Sequence, residues 1–129
     1  MILDTCGLLS LSGVAKKKLS RSTLKEIGAA DSLSVSACSL LEIALKAKRG
    51  QLNLGERFLS AEAFWEEAVE AYDCDVLPVE AQDFSAAVAL PDHHTDPFDR
   101  IIIAQAARLK CAVVTYDKGF AEYGVEVSC

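Results

Sequence analysis

An open α/β fold built on a parallel sheet with both faces covered is the architecture this sequence predicts. Three observations predict it. Short apolar runs such as Met1-Ile2-Leu3 and Ala112-Val113-Val114 lack the polar/apolar alternation of a half-exposed strand, and Leu33-Ser34-Val35 is a further short run of mostly apolar residues. Segments with helical spacing separate these runs, so strands and helices alternate along the whole chain. Four carboxylates far apart in sequence, Asp4, Glu42, Asp99 and Asp117, each follow or open an apolar run. In an open sheet of this kind they converge at one edge, beyond the carboxyl ends of the strands, where such folds bind ligands.

The elements follow in order. Met1 to Asp4 reads as a short buried strand, and Cys6 to Leu11 starts a helix. Ser22 to Ala30 is helical, with Ser20 or Ser22 as N-cap. Leu33 to Ser36 is a second strand. Ser39 to Arg49 is a helix with Leu40, Leu41, Ala44, Leu45 and Ala47 at helical spacing. Lys46, Lys48 and Arg49 occupy its last turn and Gly50 follows, which suits the helix dipole and the preference for glycine just past a helix end. Ser60 to Tyr72 is a helix with Phe64, Trp65, Ala68, Val69 and Tyr72 on one face, read as core. Asp75 to Val79 is a third strand and Glu80 to Leu90 a helix that stops near Pro91. Asp92 to Thr95 is a polar loop. Pro97 to Lys110 is a helix with proline in its first turn. Cys111 to Thr115 is a strand, Asp117 to Tyr123 a turn or short helix, and Val125 to Val127 a final strand.

At 129 residues this is a single domain over 1–129, long enough to bury a core unaided. No apolar stretch reaches the roughly 18 residues of a membrane span, and no basic region with a long apolar run opens the chain. The expectation is therefore an uncleaved cytoplasmic protein without membrane contact. Cys6, Cys38, Cys74, Cys111 and Cys129 form no C-x-x-C pair, so they read as small buried hydrophobes in a reducing compartment, not as zinc ligands or disulfides. The net charge of −6 is local. Glu56 to Asp75 holds seven acids and one Arg, which leaves twelve acids and twelve bases elsewhere. Basic residues recur at Lys16-Lys17-Lys18, Arg21 and Lys25 and at Lys46, Lys48 and Arg49. They are compatible with phosphate contact, although solvated helix faces explain each one singly.

Each acid also has a plain structural explanation. Ser39-Leu40-Leu41-Glu42 has the form of a capping box. Asp96 suits an N-cap before Pro97, with Asp99 three residues on. Asp4 and Asp117 suit caps of the helices that follow them. Cap geometry does not exclude ligation, because helix N-termini face the ligand-binding edge in this architecture. Clustered carboxylates without a basic partner need a cation, and all-oxygen sites select hard ions such as Mg²⁺ or Mn²⁺. His93 and His94 are adjacent, so both rings do not reach one ion, and a loop that packs or hydrogen-bonds near the site is expected there instead of zinc.

The chain resembles PIN-domain ribonucleases, and among them the VapC-type toxins of toxin–antitoxin pairs. The matching segments are Leu3-Asp4-Thr5, Ser36 to Lys46 with Gly50-Gln51-Leu52, Leu90 to Arg100 running into Ile103-Ala104-Gln105-Ala106, and Val114-Thr115-Tyr116-Asp117. The H-H-x-D-P-F-D-R stretch is the most specific of these. The resemblance implies a three-layer α/β/α sandwich with a five-stranded parallel sheet. It also implies Mg²⁺- or Mn²⁺-dependent cleavage of RNA to a 5′-phosphate and a 3′-hydroxyl, a cognate antitoxin, and a homodimer. The family's acids map to Asp4, Glu42, Asp99 and Asp117, with Asp96 as an additional acid at the same edge. Thr5 and Thr115 match small hydroxyl positions that orient the carboxylates. Arg100 and Lys46 are candidates to screen phosphate charge, against a simpler salt-bridge role. Gly7 to Gly13 lacks the aromatic often seen after the first acid.

Two other classes stay open on the sequence. A phosphatase-type phosphoryl-transfer domain would want a second Asp after the first strand, and Asp4-Thr5-Cys6 offers none. A non-catalytic PIN-like binding module would use the acids only as helix caps.

Overall fold

The computed structural model describes all of residues 1–129. In chain order the elements are β1 (Ile2–Leu3), α1 (Thr5–Leu11), α2 (Arg21–Ala29), β2 (Leu33–Ser36), α3 (Ala37–Lys48), α4 (Ala61–Ala71), β3 (Cys74–Leu77), α5 (Ala81–Ala89), α6 (Pro97–Leu109), β4 (Val113–Val114), a 3₁₀ segment (Lys118–Tyr123) and β5 (Val127–Ser128). The five strands form one all-parallel sheet in the order β3-β2-β1-β4-β5, as the α/β expectation required.

Side chains alternate faces along a strand, so two adjacent residues of β1 seed two cores. Leu3 joins Val35, Val114, Ile43, Phe64 and Trp65 on one face. Ile2 joins Val113, Ile102, Ile103, Ala106 and Phe120 on the other. Helices cover both faces and complete the three layers. The Phe64/Trp65 stripe is core, and a fully buried ring such as Phe64 contributes about 1.5–3 kcal/mol. Arg108 fastens α6 to α5 through Asp83, with Nε and Nη2 donating to the two carboxylate oxygens at 2.7 and 3.0 Å. Burial alone would raise the Asp83 carboxyl, but this two-pronged guanidinium holds it below the usual range.

Several boundaries differ from those expected. The third strand ends at Leu77 because Pro78 offers no N–H to continue the ladder. The helix carrying Glu42 starts at Ala37, not Ser39, and its N-cap is Ser36, whose Oγ accepts from Cys38 N. Glu42 therefore lies in the second turn and takes no part in a capping box, which removes the capping explanation for it. All five cysteines are free thiols, but only Cys38 and Cys74 are buried, while Cys6 and Cys129 are exposed. No helix is long and apolar enough to cross a membrane.

Candidate metal centre

Strand order reverses on either side of β1, and the acids gather there. Asp4 follows β1 directly, and Asp117 follows β4 by three residues. Glu42 comes from the helix after β2, and Asp96 and Asp99 from the start of α6. Asp4 is almost fully buried and caps α1, its Oδ1 accepting from Gly7 N at 2.6 Å. The close approach there requires glycine, because a Cβ on Gly7 would lie 2.7 Å from the Val114 carbonyl oxygen and 3.1 Å from Asp4 Oδ1. Asp96 caps α6 by accepting from Phe98 N at 2.9 Å, and Asp117 caps the 3₁₀ segment by accepting from Gly119 N at 2.8 Å. The caps read from the sequence are real at these three positions.

Glu42 is buried and held from two sides. Thr5 Oγ1 donates to Oε1 at 2.6 Å, and Lys46 Nζ donates to Oε2 at 2.8 Å. Thr5 Oγ1 also lies 2.9 Å from Ser39 Oγ. One hydroxyl proton cannot serve both acceptors at once, and the carboxylate is the stronger one. The Thr115 hydroxyl accepts from Asp117 N at 3.0 Å and stands beside Asp4. Thr5 and Thr115 thus sit where the sequence placed them, touching the carboxylates.

The electrostatics follow from this crowding. Burial pushes Asp4 up to about 6; the Thr115 hydroxyl and Gly7 N–H pull the other way, while Glu42 and Asp117 add to the rise. Asp99 is pushed up to about 7 by burial first, then by the charges of Asp96, Asp4 and Glu42. Five carboxylates therefore feel one another across elements up to 113 residues apart in sequence. The expectation that they have no basic partner is corrected. Lys46 pairs with Glu42, and His94 Nε2 lies 2.8 Å from Asp117 Oδ2. One lysine and one imidazole do not neutralise five acids, and the oxygen-rich donor set fits a hard divalent cation.

His94 is the residue that the sequence placed near the site without giving it a part. Its Nε2 and carboxylate oxygens of Asp99 and Asp117 all lie within 4.8 Å of one another. Burial lowers its basicity, but the His93 carbonyl and the Asp117 carboxylate outweigh this and leave it above the ordinary value. His93 instead lies beside Glu122, 3.1 Å from Nδ1 to Oε2, so the two rings do not share an ion. Arg100 is committed to main-chain carbonyls. It is buried, and its guanidinium donates to the carbonyls of Ala87, Val88, Leu90, Pro91 and His94. Its contribution is to fix the loop that carries His94. The nearest salt-bridge partner, Asp92, is 3.9 Å away and fully exposed.

An open parallel α/β sheet with carboxylates pooled at its switch point defines the class. The profile of the PIN domain family matches residues 1–126, and the chain belongs to that family. No curated protein sequence gives a significant match. Among solved structures, the crystal structure of FitAcB from Neisseria gonorrhoeae superposes with a TM-score of 0.66 at 17% identity, covering 99% of this chain and 96% of that one. A toxin–antitoxin complex from Klebsiella pneumoniae gives 0.60 at 20% identity, with 93% and 89% covered. The structure of FitAB bound to an IR36 DNA fragment gives 0.60 at 20% identity, with 98% and 92% covered. At these identities the likeness is one of fold.

Proposed function

We propose that this protein is a divalent-metal-dependent endoribonuclease acting as the toxin of a toxin–antitoxin pair. One observation carries the reading. Asp4 and Asp99 are lifted to about 6 and 7 by burial and by one another's neighbours, an arrangement that is unfavourable at neutral pH until a cation compensates it. Membership of the PIN family, whose domains are generally nucleases, supports the hydrolytic part. The likeness to a toxin–antitoxin complex supports an antitoxin partner. A homodimer and a cytoplasmic setting belong to the same reading.

Asp4, Glu42, Asp99 and Asp117 would hold Mg²⁺, with Asp96 close by and Mn²⁺ as an alternative ion. When bound, the ion lowers the pKa of a coordinated water and polarises the scissile phosphate. The chain's own residues do the positioning. Thr5 and Lys46 fix both oxygens of Glu42, and Gly7 N–H fixes one oxygen of Asp4. A carboxylate not committed to the ion would accept the proton of the attacking water. The Nζ of Lys17 lies 4.0 Å over the Tyr116 ring. Lys46 and Arg49 line a groove of about 250 Å³ that also reaches Glu42 and Asp96. Both are suited to RNA phosphates.

The test is cleavage of total cellular RNA by purified protein with Mg²⁺, mapped by 5′-end sequencing, beside EDTA and Asp99→Asn. Discrete cuts that disappear in both controls support the nuclease. Cuts that survive both, or none at all, return the acids to the role of helix caps.

A further inference from the structure

We propose that His94, Asp99 and Asp117 form a divalent-cation site with one imidazole ligand, which favours Mn²⁺ and heavier transition ions over Mg²⁺. The inference rests on the nuclease reading only for the site's purpose; its geometry stands apart from it.

The tautomer of His94 comes first. Its Nδ1 lies 2.9 Å from the His93 carbonyl oxygen, which can only accept, so Nδ1 carries a proton. This is the arrangement that turns Nε2 toward a metal in many histidine sites. Nε2 has no accessible surface and no aligned hydrogen-bond partner. Yet it stands only 2.8 Å from Asp117 Oδ2. Protonated, Nε2 makes only a poorly aligned contact with that oxygen, and unprotonated, its lone pair faces another electron-rich atom. A cation shared by the two satisfies both. The third donor, Asp99, has its ligand oxygen within 4.8 Å of the other two. Donors on opposite sides of an ion with bonds of about 2.1 Å stand roughly 4.2 Å apart, so the triplet needs only a small contraction.

The ring is also held in place before any ion arrives. Tyr123 Oη accepts from His94 N at 2.7 Å and donates to the Pro91 carbonyl at 2.9 Å. Arg100 Nη1 donates to the His94 carbonyl at 2.9 Å. Phe120 and Tyr123 pack in T-shaped arrangements with the imidazole, with centroids 5.6 and 5.8 Å away. Gly119 gives it room, because a Cβ there would collide with His94 Cε1. Such rigid support is what a ligand needs and what a solvent-facing histidine lacks. Nitrogen ligands shift preference away from Mg²⁺, which keeps oxygen and water, and toward the transition ions.

The experiment uses untagged, metal-stripped full chain titrated with Mn²⁺ and examined by pulsed electron paramagnetic resonance. Nitrogen coupling from a bound imidazole is expected in the wild type and in His93→Gln, and is expected to vanish in His94→Gln. Mn²⁺ affinity should fall by about tenfold or more in His94→Gln, with a much smaller change for Mg²⁺ measured by competition. Absence of nitrogen coupling in the wild type overturns the inference without recourse to any variant. Coupling that persists in His94→Gln overturns it too, as does unchanged Mn²⁺ affinity there. Failure here with Mg²⁺-dependent, Asp99-dependent RNA cleavage intact leaves the nuclease standing. Failure of cleavage with the nitrogen coupling present does the reverse.

Discussion

The Thr5 hydroxyl donates to Glu42 Oε1 across 2.6 Å and joins the first turn of α1 to the second turn of α3. Both groups are buried, so the bond replaces water that neither can reach. Thr5→Val keeps the shape and removes the donor. It leaves one carboxylate oxygen without its partner, and divalent-ion affinity should drop by roughly 10- to 100-fold while Ser39 and Lys46 remain in place. Isothermal titration with Mn²⁺ measures this, and unaltered affinity would mean that Glu42 is not held for ligation.

Asp99→Asn should separate function from stability. The substitution removes a charge that Asp96, Asp4 and Glu42 oppose. The metal-free variant should therefore be as stable as the wild type or more stable, while RNA cleavage is lost. A clear loss of thermal stability would show that Asp99 works mainly as a structural partner of the helix start.

Metal-free protein should become less stable as pH rises from 5 to 8. Asp4 and Asp99 keep their protons in the folded chain up to about 6 and 7, whereas their ordinary value is 3.8. Between those limits the folded chain binds more protons than the unfolded one, so stability is present at low pH and lost as pH climbs through the folded values. With the partly exposed Asp99 discounted for solvent screening, the loss is on the order of 3 kcal/mol. Urea midpoints at pH 5 and pH 8 measure it, and saturating Mg²⁺ should recover most of it. A midpoint that rises with pH in metal-free protein contradicts the clustering.

Arg100→Met should cost about 2–4 kcal/mol, because it strips the donors from a ring of buried or half-buried carbonyls. Arg100→Lys should recover little, since one ammonium cannot reproduce the planar fork. Chemical denaturation reads both. Near-wild-type stability in the methionine variant would show that water replaces the guanidinium there.

Gly119→Ala should disturb the site more than the fold. The added Cβ meets the His94 ring and lies 3.0 Å from Asp117 Oδ1. The ring can move only by breaking its contacts with Phe120 and Tyr123. Thermal stability should fall by about 1–3 kcal/mol, and Mn²⁺ binding should weaken in parallel with His94→Gln. Unchanged Mn²⁺ binding would count against the imidazole ligand.

Legibility differed from residue to residue. The alternation of elements was readable because a parallel sheet covered on both faces demands continuous apolar strands, and Ile2-Leu3 and Val113-Val114 supply them. Asp4, Asp96 and Asp117 were readable as caps because capping is local, needing only the next two or three residues. The capping-box alternative for Glu42 does not hold. The Ser-x-x-Glu pattern is present, but Ser36 caps the helix one turn earlier, at the end of β2. Arg100 was readable as polar and helical but not as the clamp that ties the end of α5 to the loop carrying His94, since its partners are main-chain oxygens that no residue type advertises.

The sequence by itself determined the class of fold, the residues that carry charge to one end of the sheet, and the caps that hold three of them, all consequences of short-range geometry and apolar patterning. Only the tertiary structure decided which groups touch. His94 and Asp117 are 23 residues apart, and their 2.8 Å approach depends on Tyr123 and Arg100 pinning one loop against another. The lifted acidities of Asp4 and Asp99 likewise arise from burial and from neighbours on other elements. Distances between side chains set by long-range packing leave no periodic trace in the chain, and so the acids of this edge could be listed from the sequence but their contacts could not.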